Sequence, residues 1–310
     1  MQDPQSIYEV DHDAVERTLG TSEDGGPASA PVLVHAVRGF VDAGAAGELA
    51  AEHLLERFTA TRLVTFDVDR LVDYRSRRPP MTFDADRWAG YDAPELVVDH
   101  LVDDEGTGFL LLHGVEPDLQ WERAAAAVRG IVDELGVSLT VGLHGIPMAV
   151  PHTRPLTLTV HGTREGLVDD HASYFGRVQV PGSWEALLEY RLGETEHDAM
   201  GFAVHVPHYL GQSRYVPAAV VALQQLEKAT GLALATGGLD EAAGQARVEV
   251  AELVADNEEV ATVVHQLEEQ YDAFARSVGR TNLLAEDSAL PTADELGAEF
   301  ERFLAERGDE

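Results

Sequence analysis

The sequence predicts an α/β fold, a three-layer α/β/α sandwich with a helical extension at its C-terminal end. Apolar, β-rich runs alternate with segments of helical periodicity between residues 31 and 238, and this alternation is typical of βαβ units. Several of the runs are apolar throughout, which indicates a largely parallel sheet covered on both faces. From about residue 239 onward only helical periodicity remains.

The first half of the predicted core begins with a strand, a glycine turn and a helix. The run over 32–40 is rich in β-formers and ends in glycine, and the segment after it has apolar residues at helical spacing. The polar, proline-containing segment 74–88 is predicted to be a loop. Strands are predicted over 32–40, 62–69, 95–103 and 108–115, the last two joined by the turn DEGTG, and a helix over 118–136.

The second half continues the alternation of strands and helices. Its first strand leads directly into a proline-rich loop, and its first helix is capped by Ser183. The last core helix ends at Gly231, a residue type favoured at helix C-termini. Strands are predicted over 137–145, 155–163 and 199–207, and helices over 183–194 and 216–231.

Two segments flank the predicted core of residues 31–238. Residues 1–30 are predicted to be a partly ordered lead-in, which ends in the turn-rich linker TSEDGGPASAP.

Residues 239–310 are predicted to be a helical extension. Apolar residues recur at heptad spacing, which indicates helix-to-helix packing within the chain or against a second subunit. A capping-box pattern at Asp256 predicts a break and therefore an α-hairpin over about 241–255 and 257–278. A last amphipathic helix is predicted over 292–307.

Composition excludes several classes of function. The chain has no cysteines, so disulfides, thiolate nucleophiles and cysteine metal sites are excluded. A formal net charge of -33 repels nucleic acid and anionic lipid, so the expected partners are proteins or small molecules. The sequence has no apolar run long enough to span a membrane and no signal-peptide pattern at its start. We therefore expect a cytoplasmic protein without nucleic-acid or membrane partners.

The proline-rich loop HGIPMAVPHTRP, residues 144–155, is the first candidate site. Three prolines spaced four apart exclude a helix and indicate a stiff loop. The loop carries His144, Met148, His152 and Arg154. An imidazole could act as a general base and a guanidinium could hold a phosphate or carboxylate. A contact with a ligand or partner, and a purely structural corner, are the alternatives.

The glycine turn RGFVDAG is the second candidate site. Gly39 and Gly44 allow a tight turn at the start of a helix, and Arg38 adds a positive charge there. Asp42 is expected either to cap that helix or to bind a ligand hydroxyl. The segment DYRSRRP (73–79) is a local cluster of arginines that could bind an anionic partner or balance nearby carboxylates.

Motifs for common enzyme classes are absent from the sequence. It contains no P-loop, no H-E-x-x-H and no G-x-S-x-G. The pair His205 and His208 flanks a proline, which favours extended chain rather than a metal site. We predict no cofactor and no metal.

Four segments carry a resemblance to a known family. The proline loop, GFVDAG (39–44), VPHYL (206–210) and PTADELGAEFERFLAE (291–306) are similar to the actinobacterial branch of the proteasome assembly chaperone family, PAC-two type. The resemblance implies a phosphorylase/hydrolase-like α/β/α fold. It also implies a homo-oligomer, with a trimer favoured, and proteasome subunits as partners.

The resemblance favours a non-enzymatic protein-binding or assembly factor. The alternative is a small-molecule-binding protein or a hydrolase/phosphorylase-like enzyme that uses a crevice between the loops 38–44 and 144–154. Some archaeal members dock on the proteasome through a C-terminal hydrophobic-tyrosine-any motif. This sequence ends in AERGDE, so docking of that kind is not expected.

Overall fold

A computed structural model describes residues 3–20, 29–168 and 176–278 of the chain. Its main feature is an eight-stranded sheet with the strand order β1-β3-β6-β7-β2-β8-β10-β9. The strands of this sheet are β1 (Tyr8–Val10), β2 (Val32–Arg38), β3 (Thr61–Phe66), β6 (Leu96–Val102), β7 (Gly108–Val115), β8 (Leu139–Met148), β9 (Leu158–Gly162) and β10 (Ala199–Pro207). A separate two-stranded sheet consists of β4 (Met81–Asp84) and β5 (Arg87–Tyr91).

Helices cover both faces of the large sheet, so the predicted three-layer architecture is confirmed. The helices are α1 (His12–Leu19), α2 (Ala46–Arg57), α3 (Trp121–Glu134), α4 (Trp184–Gly193), α5 (Val216–Thr230), α6 (Gly237–Ala255) and α7 (Glu258–Val278). Side chains alternate along each strand: on β2, Val34 packs with α2 and α5, whereas Leu33 packs with α3 and α4. We call these two faces of the sheet the α2 face and the α4 face. None of the described helices is long and apolar enough to cross a membrane.

The sheet is mixed, so the prediction of a largely parallel sheet is wrong. Strands β7, β2, β8 and β10 form a parallel centre. Strands β1, β3 and β6 on one side, and β9 on the other, pair antiparallel. The turn DEGTG explains part of this, because so short a connection between β6 and β7 permits only an antiparallel pair. Asp103 closes that turn by accepting hydrogen bonds from the backbone amides of Glu105 and Thr107.

Residues 4–19 belong to the core, which corrects the prediction of a lead-in over 1–30. Strand β1 pairs with β3, and Ile7 is completely buried. Arg123 of α3 donates two hydrogen bonds to the carbonyl oxygen of Asp3 and thereby holds the start of this segment against the sheet.

The α-hairpin predicted for the extension forms from α6 and α7, with the break at the predicted position. Its cap differs from the prediction, because the side chain of Asn257, and not that of Asp256, accepts hydrogen bonds from the amides of Glu259 and Val260. Val254 and Leu267 are buried in the core of the α2 face. The hairpin therefore packs on its own chain, with α6 against α5, while the helix predicted over 292–307 lies outside the described residues.

A β-hairpin over residues 81–91 begins within the segment 74–88 that was predicted to be a loop. Its strands β4 and β5 pair only with each other. The side chains of four large residues are half to two-thirds exposed: Met81 51%, Phe83 57%, Trp88 64% and Tyr91 53%. The sequence pattern missed it because this hairpin has no buried face to impose an alternation of polar and apolar residues.

Candidate functional site

The C-terminal ends of the parallel strands bring both candidate loops to one edge of the sheet. The glycine turn follows β2, and the proline loop follows β8 directly beside it. Ligands bind at this edge in open α/β sheets. The eight predicted site residues nevertheless lie in at least four different environments.

Asp42 is a helix cap and a tie between two loops. Its Oδ1 accepts hydrogen bonds from the amides of Gly47 and Gly145, each at 2.9 Å, and its Oδ2 accepts from the amide of Glu48 at 3.0 Å. Burial raises the pKa of Asp42 to about 6, although these three hydrogen bonds act in the opposite direction. The capping interpretation therefore describes Asp42, whose carboxylate oxygens are occupied by backbone amides.

Gly44 has the conformation for which the sequence analysis selected it. Its φ is +70°, in the left-handed region that glycine adopts without strain. An added Cβ would lie 3.1 Å from Val206 and 3.2 Å from Tyr215. The turn therefore requires glycine for its conformation, and its close packing adds a second constraint.

The proline loop starts later than the sequence predicted. Strand β8 continues to Met148, which pairs with Pro207 of β10, so residues 144–148 are strand rather than loop. This is possible because Pro147 lies beyond the part of β8 that pairs with β2, and an unpaired strand edge tolerates proline. Because His144 belongs to this strand, its side chain points toward the α4 face.

His144 lies within a layer of histidines and glutamates between the sheet and α4. His35 Nδ1 is 2.9 Å from Oε1 of Glu185, and His161 Nδ1 is 2.8 Å from Oε2 of Glu189. The ring of His144 lies 5.7 Å from that of His161. Burial, followed by the neighbouring His161 and His35, lowers the pKa of His144 to about 3, so this imidazole is neutral at pH 7.

Two glycines make room for this layer. Gly142 of β8 and Gly201 of β10 lie side by side in the register between His35 and His161. A Cβ at Gly142 would lie 2.6 Å from the His35 ring, and one at Gly201 would lie 2.3 Å from the His161 ring. The imidazoles therefore lie flat on bare backbone, where α4 can supply their carboxylate partners.

His35, His161, Glu185 and Glu189 were not among the site residues predicted from the sequence. The two glutamates are four residues apart on one helix, a spacing that places them on the same helix face. Each histidine, however, lies in an apolar strand far along the chain, and no local pattern connects it with its glutamate.

His152 and Arg154 lie on the opposite, α2 face. The backbone amide of His152 donates to the hydroxyl of Tyr209, and its Nδ1 lies 2.8 Å from the same oxygen. Arg154 forms a bidentate pair with Asp272, with both distances 2.8 Å, and a contact of 3.1 Å with Glu268. Both of its carboxylate partners belong to α7. The structure therefore uses Arg154 to hold the helical extension.

We predict that Arg154→Ala loosens α7 without unfolding the sheet. The substitution removes both ion pairs between the proline loop and α7, while the apolar contacts of the helix remain. Hydrogen–deuterium exchange should be faster in α7 and unchanged in β2 and β8. The control is Arg191→Ala, which removes ion pairs to Glu122 and Glu194 elsewhere on the surface and should leave α7 unaffected. Unchanged exchange in α7 of the Arg154→Ala variant would contradict this role.

Arg38 and Gly39 line a cavity of about 590 Å³ between the ends of β2 and β7. The other wall of the cavity comes from the segment DYRSRRP and from the base of the β4–β5 hairpin. The glycine turn RGFVDAG and the arginine-rich segment DYRSRRP are therefore adjacent in the structure. No contact brings Arg38 together with His144, His152 or Arg154.

The described residues contain no group of three or more histidine, aspartate or glutamate side chains arranged to hold a metal ion. The side chains considered for a ligand or catalytic site also have other contacts or positions in the fold. Asp42 accepts from backbone amides, Arg154 binds α7, and the two histidines of the proline loop lie on different faces of the sheet. The residues selected from the sequence thus do not converge in the crevice between loops 38–44 and 144–154.

Comparisons with known proteins agree with this architecture. A protein of unknown function from Mycobacterium tuberculosis is 46% identical, with a TM-score of 0.82 over 97% of this chain and 96% of that one. A protein of unknown function from Corynebacterium glutamicum is 33% identical, with a TM-score of 0.80 over 89% of this chain and 99% of that one. The comparison with curated proteins gives no match.

A third solved structure carries a functional description. It is a proteasome-assembly chaperone homologue from Mycobacterium tuberculosis, 24% identical, with a TM-score of 0.69 over 75% of this chain and 99% of that one. At that identity the likeness shows a shared fold. The family model described as the PAC2 family matches residues 36–254, from β2 to the end of α6. The chain therefore belongs to the PAC2 family, as the proline loop and the glycine turn predict.

Proposed function

We propose that this protein is a non-enzymatic protein-binding factor that acts in the cytoplasm as a homo-oligomer and assists the assembly of another complex. The observation that carries the proposal is the β4–β5 hairpin. It exposes Met81, Phe83, Trp88 and Tyr91 together, and clustered exposed apolar side chains mark sites of protein–protein contact.

The hairpin has the properties of a subunit contact. An isolated two-stranded hairpin is marginally stable in water, and both outer edges of this one are unpaired. The rings of Phe83 and Trp88 pack edge to face at 5.1 Å, which presents a preformed aromatic surface. Two copies of a chain with a net charge of -33 repel each other, so an apolar surface is the favourable place for them to meet.

A second copy of this chain is therefore the proposed occupant of the hairpin surface, and a trimer is the subunit number that the family resemblance favours. Proteasome subunits are the proposed client, because one relative of the same fold is described as a proteasome-assembly chaperone homologue. The enzyme alternative draws no support from the crevice between loops 38–44 and 144–154, because Asp42 and Arg154 are already bound there.

Native mass spectrometry of the full chain, purified from its own host, tests this proposal. We expect a homo-oligomer that carries proteasome subunits. The variant with Phe83→Ala and Trp88→Ala is expected to be a folded monomer, because it loses most of the exposed aromatic surface. The matched control is Tyr190→Ala on α4, since Tyr190 is also 63% exposed but lies outside the hairpin; it should keep the wild-type mass. A monomeric wild-type protein, or an unchanged oligomer in the double variant, would refute the proposal.

A further inference from the structure

We propose that the cavity between the C-terminal ends of β2 and β7 binds a small organic anion, a carboxylate or a phosphate ester with an apolar body. Arg38 and Arg78 are the residues that would hold the anionic group. This cavity is separate from the exposed face of the hairpin, and ligand binding to it can be measured without a partner protein. A failure of this proposal can therefore be distinguished from a failure of the proposed function.

The cavity lies at a switch point of the fold. Strands β2 and β7 are parallel neighbours, but the chain after β2 continues to α2 on one face of the sheet and the chain after β7 to α3 on the other. The two connections diverge and leave an opening between them, which is where ligands bind in sheets of this kind. The volume of about 590 Å³ falls in the range of small-molecule sites, about 300–1,000 Å³.

The floor of the cavity is fixed by side chains that are already hydrogen-bonded within the protein. Arg77 donates to both carboxylate oxygens of Asp118, at 2.6 and 3.2 Å, and to the carbonyl oxygens of Arg38 and Glu116. The Glu116 carboxylate accepts from the amide of Phe40 at 2.9 Å and from the amide of Trp184 at 2.6 Å. Arg77 and Asp118 neutralise each other, and the hydrogen bonds of Glu116 fix its carboxylate in the wall of the cavity.

Gly39 allows Glu116 to take this position. A Cβ at Gly39 would lie 2.3 Å from Oε2 of Glu116. Any other residue there would displace the carboxylate that fixes the Phe40 amide, so glycine keeps this wall of the cavity in place.

Two guanidinium groups that line the cavity are not committed to close carboxylates. The nearest carboxylate to Arg38 is Glu48, at 3.7 Å, and the Arg38 side chain is half exposed. Arg78 is exposed and forms no ion pair within the described part of the chain. The lining also includes the carboxylates of Asp92, at the base of the hairpin, and of Glu116, which is held by two backbone amides. Arg38 and Arg78 are therefore two guanidinium groups at the cavity without a close carboxylate partner among the described residues, which suits one anionic group held by two arginines.

The remaining lining selects a ligand with an apolar part. Val72, Val115 and three prolines line the cavity, and Phe40, which is 73% exposed, stands at its rim. An inorganic ion would leave these surfaces in water, whereas a ring or short chain attached to the anionic group would cover them. Asp92 is then placed to accept a hydrogen bond from a hydroxyl or amine of the same molecule.

Isothermal titration calorimetry with three probes tests the site on the full chain. Phenyl phosphate and benzoate carry the ring with a phosphate or a carboxylate, and benzyl alcohol carries the ring alone. We expect the wild-type protein to bind at least one of the two anions tenfold or more tightly than benzyl alcohol. The double substitution Arg38→Gln with Arg78→Gln should weaken that binding at least tenfold, because it removes both cations and leaves the apolar lining in place.

Arg75→Gln is the matched control. Arg75 is exposed on the same segment as Arg78 but does not line the cavity, so this variant should bind as the wild type does. The proposal is overturned if the wild-type protein binds neither anion more tightly than benzyl alcohol. It is also overturned if the double variant binds as well as the wild type, or if Arg75→Gln weakens binding equally.

Discussion

Glu185→Ala is expected to destabilise the protein by about 3–5 kcal/mol, since removing one partner of a buried pair leaves the other unsatisfied. The side chains of Glu185 and His35 are 8% and 4% exposed, and 2.9 Å separates their polar atoms. The same carboxylate lies 3.4 Å from the amide of Val37. Alanine would leave a buried imidazole without its partner, and water cannot reach it under α4. Urea denaturation followed by circular dichroism measures the change.

Two further variants separate the buried pair from a general effect on α4. Glu189→Ala removes the corresponding partner of His161, whose side chain is 38% exposed, so water can replace the lost carboxylate and the cost should be at most about 1 kcal/mol. Glu185→Gln keeps an oxygen that can accept from His35, so it should cost clearly less than alanine. Burial raises the pKa of Glu185, and glutamine also relieves the cost of a buried charge. Equal decreases in the free energy of unfolding for Glu185→Ala and Glu189→Ala would show that the buried pair stabilises the protein no more than the exposed one.

The elements that the sequence predicted well are those with strong local patterns. The strands β2, β7 and β10 are apolar nearly throughout and bounded by turns. Ser183 caps α4, because its hydroxyl accepts a hydrogen bond from the amide of Ala186. Strand β1 was missed because it has only three residues, and its place in the sheet depends on pairing with β3, more than fifty residues away. The direction of each strand was also hard to predict from local sequence. Parallel and antiparallel neighbours differ in the connection that joins them and hardly in their own residues.

In the candidate site, too, roles that depend on local sequence could be predicted, and roles that depend on contacts between distant segments could not. A cap was one of the two roles predicted for Asp42, because capping is a local property, determined by a carboxylate a few residues before a helix. His35 and Glu185 were missed because they are 150 positions apart, and only the packing of α4 on the sheet brings them together. For Arg154 a ligand contact, a partner contact and a structural role all stayed open, because the sequence could not show that α7 returns to the proline loop with two carboxylates.

Asp42→Ala is the second substitution with a large expected effect, a loss of about 2–4 kcal/mol, because three amide donors lose their acceptor. Two of these donors are at the start of α2 and the third is the amide of Gly145. Asp42→Asn should cost less, since its one oxygen can still accept from Gly47 and Gly145 and only the bond from Glu48 is lost. Both values come from equilibrium urea denaturation at pH 7.

The pH dependence of these variants tests the state of the Asp42 carboxyl group directly. In the folded protein burial raises its pKa to about 6, whereas in the unfolded chain it is about 3.9. Between these values the folded state binds a proton that the unfolded state has released, so the contribution of Asp42 to stability falls as pH rises from about 4 to about 6. Asparagine does not titrate. The stability of the wild type relative to Asp42→Asn should therefore be larger at pH 4.5 than at pH 7, by about 2 kcal/mol.

The opposite outcome has an equally clear meaning. If the three amide hydrogen bonds outweighed burial, the pKa of Asp42 would be lowered, and the advantage of the wild type over asparagine would grow as pH rises. Carboxylates that do not interact with Asp42 titrate in both proteins and cancel in the difference. A difference that stays constant or grows with pH would show that the link between the glycine turn and β8 is a solvated, ionised cap. A difference that shrinks would show that the glycine turn and β8 are joined by a buried carboxyl group.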